Sequence, residues 1–333
     1  MACNDYLTFK GVSNYSDTQF LTEIENNLKY YFDWAFLSIG AWTDVNIPTS
    51  SVSPFTDIYG GSQHILRGVN DDAYTDGQVW QTFKKDLVWE SGVDYSDSNY
   101  NPKNIATSGV VVNGVVANTG DYFINYPDGL VVFDTAISTS SEVKLEYSYR
   151  DVQIYVADNA EWWRELQFTA YRADKLHFTQ DEKSGDWSIG SHNRIQLPAI
   201  VIEAVPKGSS KGFELGQGSS MLFDQDVIFH VLADDRLLRN KIVSILMVQN
   251  DKTIWMFDSD GISNSGIFPL DYRGERINGT LYPDLVAPDP SGYRWAKSFL
   301  HNSVMSEVDA ITPRLYEGTV RTTCQFLFNS SNQ

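Results

Sequence analysis

The sequence predicts an α+β protein: an antiparallel sheet with two packed helices and a long hairpin, plus an inserted all-β subdomain. Three observations lead there. Aromatic residues make up 14% of the 333-residue chain and apolar residues 42%, and such side chains suit pleated, half-buried surfaces. Apolar residues recur at three- and four-residue spacing in 16–39 and again after Asp235, as in amphipathic helices. From Gly109 onward, short alternating runs are separated by turn signals roughly ten residues apart, the rhythm of a small sandwich. The expected division is a discontinuous core, 1–59 with 159–333, and a β-rich insertion at 60–158.

In 16–39 (SDTQFLTEIENNLKYYFDWAFLSI), Ser16 is expected to cap a helix, with Gln19 completing a capping box. Phe20, Ile24, Leu28, Tyr31, Phe32 and Ala35 form its stripe. Leu21, Trp34 and Phe36 widen it, so more than one side must be covered. Residues 43–75 read as loop, and 77–90 contain a short strand. GVVVNGVVAN is two β-branched runs around Asn113-Gly114, a strong hairpin signal. DYFINYPDGLVVFD is a second pair turned by Pro127-Asp128-Gly129. Val143, Leu145, Tyr147 and Tyr149 alternate on one face of the next strand.

Residues 158–176 read as a second helix or a transition segment, and TQDEKSGDWSIGSHN as a loop. IQLPAIVIEAV (195–205) is a buried strand with Pro198 at its start. MLFDQDVIFHVLA (221–233) is the next, with Val227, Phe229 and Val231 on one face and Ile228, His230 and Leu232 on the other. Between them lies PKGSSKGFELGQG, expected to form the end of a long hairpin. Asp234 or Asp235 caps the following helix, whose stripe is Leu237, Leu238, Ile242, Ile245 and Leu246. TIWMFD is a short strand. The stretch 258–313 reads as a long connector, with a strand or helix near Trp295–His301. YEGTVRTTCQFLF is the last strand, with Val320, Thr322, Cys324, Phe326 and Phe328 on one face.

Composition narrows the function. The net charge is −18, with 43 acidic residues against 25 basic ones, which argues against tight nucleic-acid binding. Acidity near DNA instead repels phosphates. The two cysteines, Cys3 and Cys324, have no Cys-x-x-Cys spacing, so no zinc site of the usual kind is expected. Neither a secretory signal nor a membrane-spanning apolar run is present, so a soluble protein made in a reducing cytosol is expected.

Motifs that suggest chemistry fail on spacing or on structural context. The glycine-rich stretch 206–218 has no Gly-Lys pair, and a strand follows it, not a helix, so it is no phosphate loop. FDSDG lacks the remaining ligands of a calcium loop. His64, His177, His192, His230 and His301 are scattered, and His230 reads as a satisfied core residue. Gly208-Ser209-Ser210-Lys211-Gly212 has the spacing of a hydrolase elbow, but a strand follows it where the elbow needs a helix. Carboxylates abound, but no pair stands out as a glycosidase would need. Trp80, Trp89, Trp162 and Trp163 suit packing or interfaces more than sugar stacking. No catalytic residue, cofactor or metal is expected.

The order of elements, carried by FLTEIENNLKYYFDWAFL, LPAIVIEAVPKGSSKGFELGQ, FDQDVIFHVLADDRLLRNKIVSILMVQ and YEGTVRTTCQFLF, resembles the tail-terminator (tail-completion) family of tailed bacteriophages. The 120–150 segment (GDYFINYPDGLVVFD…VKLEYSYR) is similar to decorating modules of virion proteins. The resemblance implies a non-enzymatic virion protein of the neck. It would form a ring of six copies between the tail tube protein and the head–tail connector or stopper, with DNA passing through the lumen without specific binding. Lys207, Lys211, Phe213 and Glu214 are then the expected partner contacts. The alternatives are the head–tail connector or stopper itself, another neck, collar or baseplate protein and, in a different class, a carbohydrate-binding module of a tail fibre.

Overall fold

The computed structural model describes residues 20–48, 63–90, 102, 109–170, 178–182, 184–212, 220–288, 292–312 and 314–329. The fold is mixed α+β with strand predominating. Helix α1 spans Phe20–Ser38; the expected cap at Ser16 lies outside the described residues. Ile24, Leu28, Phe32 and Phe36, four residues apart, are buried along it. The helix stops because Gly40 takes φ +83°, letting the Gly40 N–H reach the Leu37 carbonyl and the Ala41 N–H reach that of Phe36.

Nine strands follow: β1 (Trp42–Val45), β2 (Arg67–Val69), β3 (Val79–Gln81), β4 (Val110–Val112), β5 (Val115–Val116), β6 (Tyr122–Asn125), β7 (Leu130–Phe133), β8 (Val143–Leu145) and β9 (Tyr147–Arg150). They form one sheet in the order β2-β3-β7-β6, another in the order β5-β4-β8, and the pair β1-β9. Asn113 and Gly114, between β4 and β5, both have positive φ (50° and 84°), as a two-residue hairpin of this twist requires. Val45, Leu66, Trp80, Leu87, Val131, Leu145 and Tyr147 belong to the core these strands share.

Next come β10 (Gln153–Val156), α2 (Glu161–Ala170), β11 (Phe178–Gln180), β12 (Trp187–Ile189), β13 (His192–Ile195), β14 (Ala199–Gly212) and β15 (Ser220–Ala233). They are followed by α3 (Arg236–Met247), β16 (Thr253–Phe257), α4 (Ser259–Ser265), α5 (Tyr282–Leu285), β17 (Arg294–Thr312) and β18 (Leu315–Asn329). The main sheet runs β10-β14-β15-β18-β17-β16. Only β10 and β14 are parallel; every other neighbouring pair is antiparallel.

Alternation along β15 sorts the two faces. Val227, Phe229 and Val231 join Ile200, Ile202, Val320, Cys324 and Phe326 in a core closed by α1 and α3. Leu232, Val201 and Leu315 lie on the reverse face, where Trp162, Trp163 and Leu166 of α2 and the β11-β12-β13 sheet cover them. Cys324 is a free thiol in the first core, its pKa pushed up to about 12 by burial.

Several elements differ from expectation. Residues 178–195, read in large part as a loop, form the three-stranded sheet, because Trp187 and Ile189 alternate inward against α2. β10 lies within 60–158 yet pairs with β14 in the main sheet. The connector 258–313 ends in a 19-residue strand, β17, whose mixed sequence disguises its alternation. Leu237 is 76% exposed and drops out of the helical stripe, because it sits in the first turn of α3, outside the contact with the sheet. Asp235 caps that helix through the Leu237 N–H. FDSDG is also a cap, with Asp258 receiving the Gly261 N–H at the start of α4.

Candidate functional site

The root of the β14–β15 hairpin holds a polar group that links three strands of the main sheet. His230 on β15 lies between two carboxylates: its Nε2 is 3.0 Å from Glu203 on β14, and its Nδ1 is 3.0 Å from Glu317 on β18. With both ring nitrogens facing acceptors, the ring satisfies both bonds as a cation. Burial works against that charge, but the hydrogen bonds and charges of Glu203 and Glu317 raise the pKa above the usual histidine value. The hydrogen bond from His230 likewise holds Glu203 below the ordinary range. The Trp163 ring lies 4.6 Å from the imidazole. Arg239 of α3 donates to the Glu317 carbonyl oxygen at 2.8 Å. Three central strands are thus strapped together at one level.

Directly above the strap, β14 bulges between Ala204 and Gly208. There Glu25 of α1 accepts the Ala204 N–H at 2.7 Å. Burial raises the Glu25 pKa to about 7; the Ala204 bond opposes that shift, and the charges of Asp158 and Glu203 add to it.

The sheet edges differ sharply. The outer edge of β16 is sealed by side chains. Asn27 of α1 pairs with both backbone groups of Phe257, and Tyr282 donates to the Trp255 carbonyl at 2.6 Å. Sealing of this kind blocks further strand pairing. By contrast, β10 covers only residues 199–202 of β14, and β16 covers only residues 294–299 of β17. Among the described residues no further strand lies against 203–212 or 303–312. Val304 and Met305, on that open part of β17, are about 60% exposed.

The reverse face of the sheet, beyond the cover of α2, is polar. Asp226 pairs with Arg321 and Thr323, and Asp224 accepts from Gln325. Toward β16 the face turns cationic and aromatic: Arg294 lies 3.7 Å from the Trp255 ring centre, and Lys297 sits between Trp255 and Phe299.

A second ionic centre joins α1 to the β-rich sheets. The buried guanidinium of Arg150 donates to Asp33 at 2.8 Å, to the Leu87 carbonyl at 2.8 Å, and to Glu90 and Asp86. Burial alone would lower the Arg150 pKa, but the three carboxylates raise it, so the group stays charged. Beside it is an open cleft of about 450 Å³ bordered by Phe36, Ile39, Asp151, Pro198, Lys241 and Ile245.

Of the expected contact residues, Lys207 falls in the β14 bulge and Lys211 stands opposite Leu222 in the register. Phe213 and Glu214 lie outside the described residues. Glu203, Glu317, Arg150, Val304 and Met305 were not singled out from sequence. Glu317 lies 87 positions from His230, and no local pattern links them. Among the described residues no group of three or more His, Cys, Asp or Glu is placed to hold a metal ion, and no helix is long and apolar enough to cross a membrane. No protein-family model matches the chain, and no curated protein matches it.

Proposed function

We propose that this chain is a non-enzymatic structural protein of a phage virion neck, a tail-terminator-like subunit. Six copies close into a ring that caps the tail tube and joins it to the head–tail connector, with DNA passing through the lumen without specific binding. In this reading α1, β10 and 159–333 make the ring-forming core, with α1 and α3 on a mainly antiparallel sheet and its long hairpin. The β-rich sheets built from β1 to β9 decorate it.

The observation that carries the reading is strand length. β14, β15, β17 and β18 run 14, 14, 19 and 15 residues, against about five or six in a typical strand. At ~3.3 Å per residue these strands reach about 45 to 65 Å. The shared core uses only part of that length: Ile200 and Ile202 on β14, Val227 to Val231 on β15, and Val320 to Phe326 on β18. Beyond that core the four strands stay paired with one another, and among the described residues no strand lies against the outer edges of β14 from 203 and β17 from 303, which suits a protein that works by joining copies of itself.

Native mass spectrometry and negative-stain imaging of the purified protein test this directly. A six-copy ring is expected, and labelled virions should carry it at the upper end of the tail tube. A protein that stays monomeric when concentrated and is missing from particles would sink the reading.

A further inference from the structure

Resting on that reading, we propose which surfaces close the ring: the open edge of β17 (303–312) pairs as an antiparallel strand with the open edge of β14 (203–212) on the next copy. Four features of the subunit support this contact.

The first is direction. β14, β15, β18 and β17 are successively antiparallel, so β17 of one copy and β14 of an identically oriented neighbour also run antiparallel. The contact is heterologous, the kind that generates rings.

The second is geometry. The two open stretches lie at different heights. Gly208, near the middle of one, is level with Gln225 and Cys324; Glu307, near the middle of the other, is level with Gly318. The offset along β18 is six residues, about 20 Å. Four strands at ~4.8 Å spacing are about 19 Å wide. Joining the two stretches without displacing a copy along the ring axis therefore tilts the strands by about 45°, close to the tilt of roughly 35–45° found in closed barrels.

The third is charge. The β14 stretch carries Lys207 and Lys211, and the β17 stretch carries Glu307 and Asp309. The fourth is the contrast among edges. β16 is closed by Asn27 and Tyr282, whereas β17 presents exposed Val304 and Met305. On β14, Glu25 takes the Ala204 N–H and Pro206 in the bulge has none to give, so the pairing falls on 207–212.

Charge reversal tests the pairing. Lys207→Glu with Lys211→Glu, or Glu307→Lys with Asp309→Lys, should weaken ring formation by about tenfold or more in concentration, because like charges across a strand pair repel. All four changes together should restore it. A second readout needs no rescue. Placing Ser209 opposite Glu307 sets that carboxylate diagonally between Lys207 and Lys211 on one face and puts Ser210 opposite Ser306, so Ser210→Cys with Ser306→Cys, in a Cys3→Ser background, should give an oxidised ladder of linked copies up to the ring size.

A variant lacking residues 1–19 separates this contact from occupation of the β14 edge by the chain's own start. The ring and the rescue should persist in that variant. If the ring is lost there while the charge reversals are silent in the full chain, the edge belongs to residues 1–19 and the proposal falls. If the unmodified protein forms no ring, the neck reading fails as well. If it forms a ring but shows neither rescue nor ladder, only this edge assignment is overturned.

Discussion

Asn27 and Phe257 are joined as two neighbouring strands would be. The Asn27 side chain donates to the Phe257 carbonyl oxygen at 3.1 Å and accepts the Phe257 N–H at 2.8 Å. An amide on α1 thus ends the main sheet at β16. Asn27→Leu leaves both backbone groups unpaired in a buried place, at a cost of about 2–5 kcal/mol. Urea titration should show that loss. The variant should also self-associate more readily, since the edge is no longer closed. A change below about 0.5 kcal/mol would mean water replaces the amide without penalty.

The strap at His230 and the carboxyl of Glu25 set a pH dependence of one sign. His230 is raised in the folded protein, so its contribution is complete below the unfolded value of 6.5 and is lost as pH rises through the folded value. Glu25 titrates near 7 when folded, against an unfolded 4.5, so its ionisation also erodes stability as pH rises through that interval. Glu203, which is lowered, adds stability above about 4.5 and loses it only in stronger acid. Melting temperature should therefore rise between pH 8 and pH 6. His230→Asn and Glu25→Gln should each flatten that rise. A profile unchanged in both variants would contradict the assignment.

Arg150 is held by three separate contacts to Asp33, Glu90 and Asp86. Arg150→Met removes the cation and leaves those carboxylates uncompensated, an effect of about 3–5 kcal/mol for a buried pair. Arg150→Lys should rescue only part of it, because one ammonium cannot reach three partners in the directions a guanidinium fork does. Burial raises the Glu90 and Asp86 pKa values, so the deficit of Arg150→Met should shrink in mild acid as those two carboxyls protonate, which denaturation at pH 7 and pH 5 would compare.

Two glycines predict different penalties. Gly129, in the turn between β6 and β7, has φ +63°, and a Cβ there would lie 2.6 Å from the Lys84 carbonyl oxygen. Gly129→Ala combines backbone strain with a clash against main chain and should cost about 2–4 kcal/mol. Gly318, on β18 under α3, has ordinary φ; a Cβ there would meet Val243 at 3.0 Å and Arg239 at 3.2 Å. Gly318→Ala pushes the helix outward and should cost about 1–3 kcal/mol. Equal and negligible losses in thermal melts would refute both.

Much of the local structure was legible. Helix α1 followed from its spacing, and the turn at Asn113-Gly114 from chemistry that needs positive φ. The two faces of β15 followed from strict alternation. The site was far less legible. β17 was obscured because its second half mixes polar and apolar residues without the clean alternation of a half-buried strand. The strand pairing within 178–195 was obscured by its turn-forming composition, although Trp187 and Ile189 supply an inward face.

The sequence by itself determined what each short segment prefers: which residues alternate, where turns fall, which helix has a cap, and that the chain carries a large acidic excess. Those are properties of neighbours along the chain. Only the tertiary structure decided that Glu203, His230 and Glu317 meet, that Asn27 closes β16, and that among the described residues β14 and β17 keep open edges. Strand order and register arise from contacts between residues far apart in sequence. Several arrangements satisfy the same local pattern, and only burial of both sheet faces at once selects one.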